Sequence, residues 1–463
     1  MKLLETRLRT KMSFAGGESA SVLIIVLWIC IGLVTIALYF ADSMNYELQA
    51  ADNRVSGLSA EQTIEGAARY VGGELQNYAT NGMSIRPDSG QFACENIPIG
   101  DAHFWIIGRD PAASSTTANS TTPYFGLIDE GAKLNLNYAN TNALSYLPNM
   151  TVDFAEAIQD WRGTNGMGSM NYGSAGYMAK NAPFETLDEL RLVYDANTSL
   201  LAGDDINRNG VLDGNEKASS GQINFGLFEY TTVYSREPNF LPGGIALTNV
   251  NSISSRGAMQ EFFQSSGVSG ASGVAQTIYG GINPTGTKNP CKGILDFAVR
   301  CRQAGMSDSD FASIYTNCTT TNLTYLRGRV NVNTASQDVL TALFEGLNNG
   351  DEETADSAAQ TLVTYRQQST NNLNSIAWVY DALGTGNSML ATLQRGDYLT
   401  TRSYQFTADI AAVGAFGRGY RRVKFVFDVS NGSPIVIYRQ DLTRLGWALG
   451  EKARQKLLAN NTQ

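Results

Sequence analysis

Histidine is almost missing from this chain: 463 residues hold one, His103, in the stretch HFWIIG. With a single imidazole the usual proton relay of an acid–base site cannot be built. Neither a serine in a nucleophile-elbow setting nor a glycine-rich cradle after a strand offers a substitute. No enzyme is expected, and His103 reads as a half-buried strand residue. Zinc is excluded on similar grounds, because the five cysteines contain no Cys-x-x-Cys pair and no histidine cluster stands beside them. Positive charge is scarce as well. The 34 Lys and Arg face 43 Asp and Glu, giving a net charge of −9 and a pI near 4.9. No basic field is available to displace counterions from a polyanion, so nucleic acid is not an expected partner. Charged residues make up 17% of the chain and hydrophobic ones 43%, which excludes a disordered tail and leaves apolar material for two or three packed units.

Much of that material comes early. From Ser21 to Ala41 the run SVLIIVLWICIGLVTIALYFA carries no charge, and a helix of that length, rising about 1.5 Å per residue, spans a hydrocarbon core of roughly 30 Å. Lys2, Arg7, Arg9 and Lys11 precede it with only Glu5 against them, whereas Asp42, Glu47 and Asp52 follow. The basic end is therefore expected in the cytoplasm and everything after about Asp42 outside. The run is longer than the apolar part of a secretory signal and ends in Leu38-Tyr39-Phe40-Ala41, a poor cleavage site. Helical spacing then continues through Met44, Leu48, Val55, Leu58, Ile64, Ala67, Ala68, Val71 and Leu75, with no Pro or Gly cluster before Gly72-Gly73. One helix running from lipid into a soluble domain is expected, its outer half packed by one face on a sheet.

That sheet reads from the other end of the chain. SYQFTADIAAVG puts Tyr404, Phe406, Ala408 and Ile410 on one face, RRVKFVFDV does the same with Val423, Phe425, Phe427 and Val429, and Asn431-Gly432-Ser433-Pro434 turns into IVIYR. Alternation with such turns predicts an antiparallel meander, joined by short strands around Phe104 to Gly108 and Tyr124 to Ile128. Between the two ends lies an internal repeat. GAKLNLNYANTNALSYL (Gly131 to Leu147) and GRVNVNTASQDVLTALF (Gly328 to Phe344) place Asn135 and Asn137 opposite Asn331 and Asn333, and Leu144 opposite Leu340. Each copy runs on into an aromatic-Arg helix, AEAIQDWR or AAQTLVTYR, and a short amphipathic piece, FETLDEL or LNSIAWV. Two strand-cap-helix-helix units follow, with the second Asn of each pair suited to a helix N-cap. Residues Glu237 to Arg327 interrupt this order as a Gly/Ser/Asn-rich insertion whose clearest element is the helix in CKGILDFAVRCRQAG.

The sharpest chemical signal is DINRNGVLDGNE. On a twelve-place calcium loop, Asp205, Asn207 and Asn209 take the first, third and fifth places, Gly210 the sixth, the Val211 carbonyl the seventh, Asp213 the ninth and Glu216 the twelfth. Every ligand place holds an oxygen donor and the glycine permits the sharp turn, so calcium is the expected cofactor. KASSGQINFGLFEYTTVYS after it reads as loop and then strand, which makes the site a structural staple instead of a helix-opening sensor. Four cysteines, Cys94, Cys291, Cys301 and Cys318, fall beyond the apolar run and are disulfide candidates, with Cys30 inside it. Four thiols allow three pairings; Cys291 with Cys301 or Cys318 would be a local staple.

NLNYANTNALSYLPNMTVDFAEAIQDWR resembles a helix-hairpin-helix, but its hairpin Pro148-Asn149-Met150-Thr151 lacks glycine and neighbours Asp153, Glu156 and Asp160. Phosphate would be repelled there, which leaves the unit as scaffold. SVLIIVLW (Ser21 to Trp28), DEGAKLNLN (Asp129 to Asn137), FETLDELRLV (Phe184 to Val193), TTVYS (Thr231 to Ser235) and GRVNVNTAS (Gly328 to Ser336), in this order, together resemble the minor pseudopilins of type II secretion called general secretion pathway protein K. The resemblance implies an α+β fold: a pilin-like long N-terminal transmembrane helix packed on an antiparallel sheet, with inserted helical units of SAM or helix-hairpin-helix type. It divides the chain into a cytoplasmic prepilin-type leader at 1–17, the helix at 18–82 with its transmembrane part at about 21–41, and the start of the β domain at 83–128. Then follow a first helical unit with the calcium loop at 129–232, a Cys-containing insertion at 233–327, a second helical unit at 328–400, the meander at 401–440 and a tail at 441–463.

Family membership also implies cleavage by a prepilin peptidase on the cytoplasmic side. Gly17 is the best match for the cut, giving Glu18 as the mature start; Ala20, with Ser21 next, is the rival, and a cut after Ser13 would put Phe14 first and Glu18 fifth. The first two registers place Val22 or Ile25 fifth, where shaft pilins carry a glutamate that neutralises a neighbour's ammonium. A subunit lacking it suits the tip of the fibre. The implied partners are the I- and J-type minor pseudopilins, the pseudopilus shaft and the inner membrane, with the C-terminal domain periplasmic. A minor pilin of a type IV pilus-like fibre, and a single-pass calcium-binding surface protein that never polymerises, are the alternative readings.

Overall fold

A computed structural model of the chain describes residues 17–81, 92–110, 122–163, 169–214, 216, 223–285, 287–368 and 373–460. The expected leader, apart from Gly17, lies outside these residues. Helix α1, Gly17–Asn81, is one unbroken element of 65 residues, as a proline-free run at helical spacing dictates. The cleavage candidates Gly17, Glu18, Ala20 and Ser21 form its first turn, where only the backbone is described. Its apolar first half buries nothing: Trp28 is 70% exposed, and the most hydrophobic 18-residue window is 0% buried. Length and composition suffice to cross a membrane. The packed stripe begins only at Ser56 and runs through Ala60, Ile64, Ala67, Val71 and Leu75, each three or four residues from the last. Met44, Leu48, Val55 and Leu58, expected on the same stripe, are instead exposed: the sheet does not reach down to Met44 and Leu48, and Val55 and Leu58 point away from the face that carries Ser56, Ala60 and Ile64. Where it starts, Gly414 and Gly419 lie against the Ser56 backbone, and a Cβ on either would come within 2.2 and 2.3 Å of it.

The sheet has β1 (Ile97–Ile99), β2 (Ala102–Ile107), β3 (Ile128–Asp129), β4 (Gln405–Val413), β5 (Arg421–Asp428) and β6 (Ile435–Asp441). Its order is β1-β2-β4-β5-β6 with β3 also on β4, and every pairing is antiparallel. Phe406, Ala408, Ile410, Val423, Phe425 and Phe427 face α1 and form its core, as the alternation requires. The expected α+β architecture is the one observed. His103 lies half-buried on β2.

The opposite face of the sheet is polar and yet buried: Gln405, Thr407, Asp409, Arg422, Lys424 and Asp428 are each at most 9% exposed. Helical units cover it. In the first, Leu134–Asn135 pairs in parallel with Thr231–Thr232, and in the second Val330–Asn331 pairs in parallel with Leu399–Thr400. Helices α2 (Thr141–Ser145) and α3 (Val152–Trp161) of the first unit answer to α4 (Gln337–Leu347) and α5 (Glu352–Gln368) of the second. The turn between each pair holds a left-handed asparagine, Asn149 at φ 58° and Asn349 at φ 57°. In each copy the arginine after the aromatic residue caps the strand exit: Arg162 donates to the carbonyls of Leu136 and Ala139, and Arg366 to that of Val332. The units meet through α2 and α4, where Gly346 has no room for a Cβ, which would stand 2.6 Å from Ala143 Cα.

The N-caps differ from expectation. Asn140 and Ser336 cap α2 and α4, accepting from the amides of Ala143 and Val339. Asn137 and Asn333 reach outward instead. Asn137 exchanges two hydrogen bonds with the Phe184 backbone, while Asn333 donates to the Leu373 carbonyl and accepts from the Trp378 indole. Each is thus the clasp between a unit's first strand and its last amphipathic piece. The insertion holds helices Arg256–Ser265, Ala271–Ile282, Ile294–Gln303 and Asp308–Tyr315, more than its glycine-rich composition announces. Its ends are zipped by antiparallel pairing of Arg236–Pro238 with Tyr325–Arg327. All these helices share one core. The C-terminal residues are not a free tail, since Ala448 and Leu449 pack on Trp105, Ile107, Ala411 and Val413 before the helix Gly450–Asn460.

Candidate metal centre

The loop DINRNGVLDGNE follows the short helix Thr198–Ala202 and lies between the first helical unit and the polar face of the sheet. Asp205, Asn207, Asn209 and Glu216 are at most 7% exposed, an unusual burial for such residues. Asp205 accepts from the amides of Asn209 at 3.0 Å and Gly210 at 2.7 Å. Asn207 and Asn209 accept in turn from the amides two residues on, both at 3.0 Å, and point their NH2 groups at Asp213. Glu216 closes the circle, one oxygen on the Asn207 amide at 3.1 Å and the other on the Asp213 amide at 3.0 Å. Gly210 carries the turn at φ 85°, in the region that favours glycine. Val211 is buried next to it.

These residues fit a hard cation in chemistry. The set is oxygen on short side chains, and burial pushes the Asp205 carboxyl up to about 6, against the nearby Arg109 guanidinium and the two amides. A carboxylate desolvated to that degree is relieved by a divalent ion. Among the described residues no three His, Cys, Asp or Glu side chains stand together as ligands, so the set depends on the asparagine oxygens and the Val211 carbonyl. Residues 215 and 217–222 lie outside the described residues. Beyond them come the four-residue helix Leu227–Tyr230 and the strand Thr231–Thr232.

What seats the loop could not be read locally. Arg422, 0% exposed on β5, pairs with Asp409 on β4 at 2.6 Å and donates to the carbonyls of Asn207 at 2.5 Å and Arg208 at 2.8 Å. Arg109 binds the same Arg208 carbonyl at 3.1 Å and Glu229 at 2.8 Å. On the other side the Asn207 and Asn209 amides donate to the carbonyls of Trp447 and Ala448. A loop 240 positions from Trp447 in sequence therefore holds the C-terminal segment.

A second junction uses the DEG of DEGAKLNLN. Asp129 accepts four hydrogen bonds: from the Gly131 amide at 2.7 Å, Asn331 at 2.9 Å, Thr334 at 2.5 Å and Ser403 at 2.6 Å. Burial nevertheless outweighs them and raises its carboxyl above the ordinary range. Glu130 accepts the hydroxyls of Thr232 and Thr407 at 2.5 and 2.6 Å. Two adjacent acids thus join the sheet to both units.

The expected disulfides are not present; all four candidate thiols are free. Cys94 sits in the core under α1, whereas Cys291, Cys301 and Cys318 sit in the core of the helical units. Burial pushes the thiols of Cys94, Cys291 and Cys318 up to about 12 and that of Cys301 well above its ordinary value. Burial thus disfavours the thiolate through which exchange would begin.

No protein-family model matches this chain, and no curated protein matches it. Among solved structures, a chain of the crystal structure of the GspK–GspI–GspJ complex from the enterotoxigenic Escherichia coli type 2 secretion system is similar to it. The identity is 10%, the alignment covers 85% of this chain and 99% of that one, and the TM-score is 0.40.

Proposed function

We propose that this chain is a minor pseudopilin of a type II secretion system. In this reading it stands at the tip of the pseudopilus and, with I- and J-type minor pseudopilins, primes assembly of the shaft for protein export across the outer membrane. One observation carries the reading. Helix α1 is continuous from Gly17 to Asn81, yet its large apolar side chains from Val22 to Leu58 are exposed while those from Ala60 to Leu75 pack on the sheet. An exposed apolar half of this length must be covered by lipid or by other helices, and a pseudopilin uses both in turn. The order of the sequence stretches from SVLIIVLW to GRVNVNTAS, which resembles the K-type pseudopilins, supports the choice of system. Bulk favours the tip: the first helical unit and the C-terminal segment cover much of one face of the sheet, with the second unit and the insertion packed beyond them, and such a body stacked between shaft subunits would clash.

The same reading puts the N-terminus in the cytoplasm, the domain in the periplasm and the anchor in the inner membrane, with a prepilin peptidase cutting after Gly17 or Ala20. It assigns no reaction and no nucleic acid. A calcium ion would be held by Asp205, Asn207, Asn209, the Val211 carbonyl, Asp213 and Glu216, and would stiffen the loop that seats Trp447 and Ala448. Co-expression with a prepilin peptidase tests the fibre reading: the mature protein should lose its cytoplasmic residues, and an unchanged N-terminal mass would reduce the chain to a plain anchor. Calorimetry on the full chain in detergent tests the metal. Heat on titrating calcium, abolished in Glu216→Ala, is expected; no heat at millimolar calcium refutes it.

A further inference from the structure

Strand β6 closes one side of the sheet, and among the described residues no strand pairs with its outer edge. A free edge presents a row of unpaired backbone N–H and C=O groups, and is usually guarded by lysine, proline or charge. β6 has neither lysine nor proline, and its two charges, Arg439 and Asp441, stand at one end. At the other end three apolar residues follow one another into solvent: Ile435 and Val436 are each 49% exposed and Ile437 41%. The pairing with β5 slips by one residue at Ile437, a bulge that bends the strand and leaves these side chains uncovered. The patch continues past the β5–β6 turn. Pro242, at the tip of the hairpin that pairs Phe240–Leu241 with Ile245–Ala246, lies 3.6 Å from where a Cβ on Gly432 would stand. Asn239, at the base of the same hairpin, donates to the Leu323 carbonyl at 2.6 Å. Ile245 and Leu323 are 64% and 63% exposed.

Two features say what covers this surface. The first is position. Gln76 donates to the Gly432 carbonyl at 3.0 Å, so the turn stands beside the end of α1, roughly 50 Å of helix beyond Ala41. Lipid does not reach it. The second is charge. The stretches 238–255, 311–326 and 429–438, which supply the hairpin, the Leu323 loop and the apolar end of β6, contain no Asp, Glu, Lys or Arg, in a chain that is 17% charged. Depletion of charge around exposed apolar residues marks the centre of a protein interface, and a charged partner would lose its hydration there without compensation. Unpaired main-chain groups at strand spacing are matched only by another extended backbone. We propose that the free edge of β6 binds an extended, uncharged and apolar strand of a partner polypeptide, which adds to the sheet and lays side chains against Ile435, Val436, Ile437 and the neighbouring hairpin. The surface would serve a fibre tip and a plain anchor alike.

The test places photoreactive benzoylphenylalanine at Ile437, or in a separate protein at Ile245, of the full chain in its native cells. Irradiation followed by sequencing of the crosslinked peptide should give, at both positions, one partner polypeptide joined through a charge-free stretch rich in β-branched residues. The same probe at Met178, 82% exposed on the first helical unit, should not give that adduct. Ile435→Lys in the Ile245 probe protein should reduce the adduct at least tenfold while the melting temperature stays unchanged, because the side chain it replaces is half in solvent. A synthetic peptide of the crosslinked sequence should then slow hydrogen exchange of the β6 amides of the detergent-solubilised chain at least tenfold. Absence of an adduct at both positions, adducts to lipid, to a second copy of this chain or to a charged segment, or β6 amides that exchange as before each overturn the proposal.

Discussion

Removing the Asp129 side chain should unfasten the sheet from the second helical unit. Its carboxylate, 3% exposed, is the common acceptor for the Gly131 amide, the Asn331 amide group and the hydroxyls of Thr334 and Ser403. Asp129→Ala leaves four donors facing a hole. An unsatisfied buried donor costs about 1–3 kcal/mol. The two hydroxyls can turn to each other or to entering water, so the full sum is not expected, and a loss of about 3–5 kcal/mol is. Asp129→Asn keeps one oxygen for the Gly131 amide, and its NH2 can donate to hydroxyls that rotate to accept, so it should lose roughly 1–2 kcal/mol. Denaturant unfolding of the detergent-solubilised protein at neutral pH reads both values. The order wild type, Asn, Ala is the essential result. If Asp129→Ala unfolds within about 1 kcal/mol of the wild type, the four bonds do not hold the junction and the account of the DEG motif fails.

Gly346→Ala should lose about 1–3 kcal/mol through overpacking, since its Cβ would meet the Ala143 backbone at 2.6 Å; thermal melting checks it, and an unchanged melting temperature would refute it. Arg422→Met strands the buried Asp409 carboxylate and should cost about 3–5 kcal/mol, whereas the double change Arg422→Met with Asp409→Leu should unfold closer to the wild type. Acid should weaken the protein partly through Asp428. Burial raises this carboxyl, but the Ser430 hydroxyl and amide, Arg236 and Gln405 hold it, on balance, below its ordinary value. Its contribution is therefore complete above the unfolded carboxyl range and is lost as pH falls through about 4 and below. Asp428→Asn should be less stable than the wild type at pH 7, and the gap should narrow as pH falls below the unfolded carboxyl range, in parallel denaturant titrations.

Periodicity alone determined a large part of this protein. A proline-free apolar run at helical spacing marked α1, strict alternation marked β4 and β5, and the paired NxN stretches marked two equivalent units. The oxygen pattern from Asp205 to Glu216 marked the loop as a candidate cation site. In each case the information is local, because the backbone repeats every 3.6 or every two residues and the side chains declare which side differs from the other. They do not declare what lies on that side. Asp409, Arg422 and Lys424 alternate with apolar residues just as solvent-facing charges would, and only the packing of the helical units turned them inward. Ser403 reaches Asp129 across 274 positions, and Asn207 meets Trp447 across 240; such bonds leave no trace in the stretches they join. The same holds for Asn137 and Asn333, which looked like helix caps, and for the thiols, whose spacing says nothing about burial in two separate cores. Tertiary structure decided these matters because a hydrogen bond or an ion pair belongs to whichever partner folding brings within about 3 Å, and that partner is set by the whole chain.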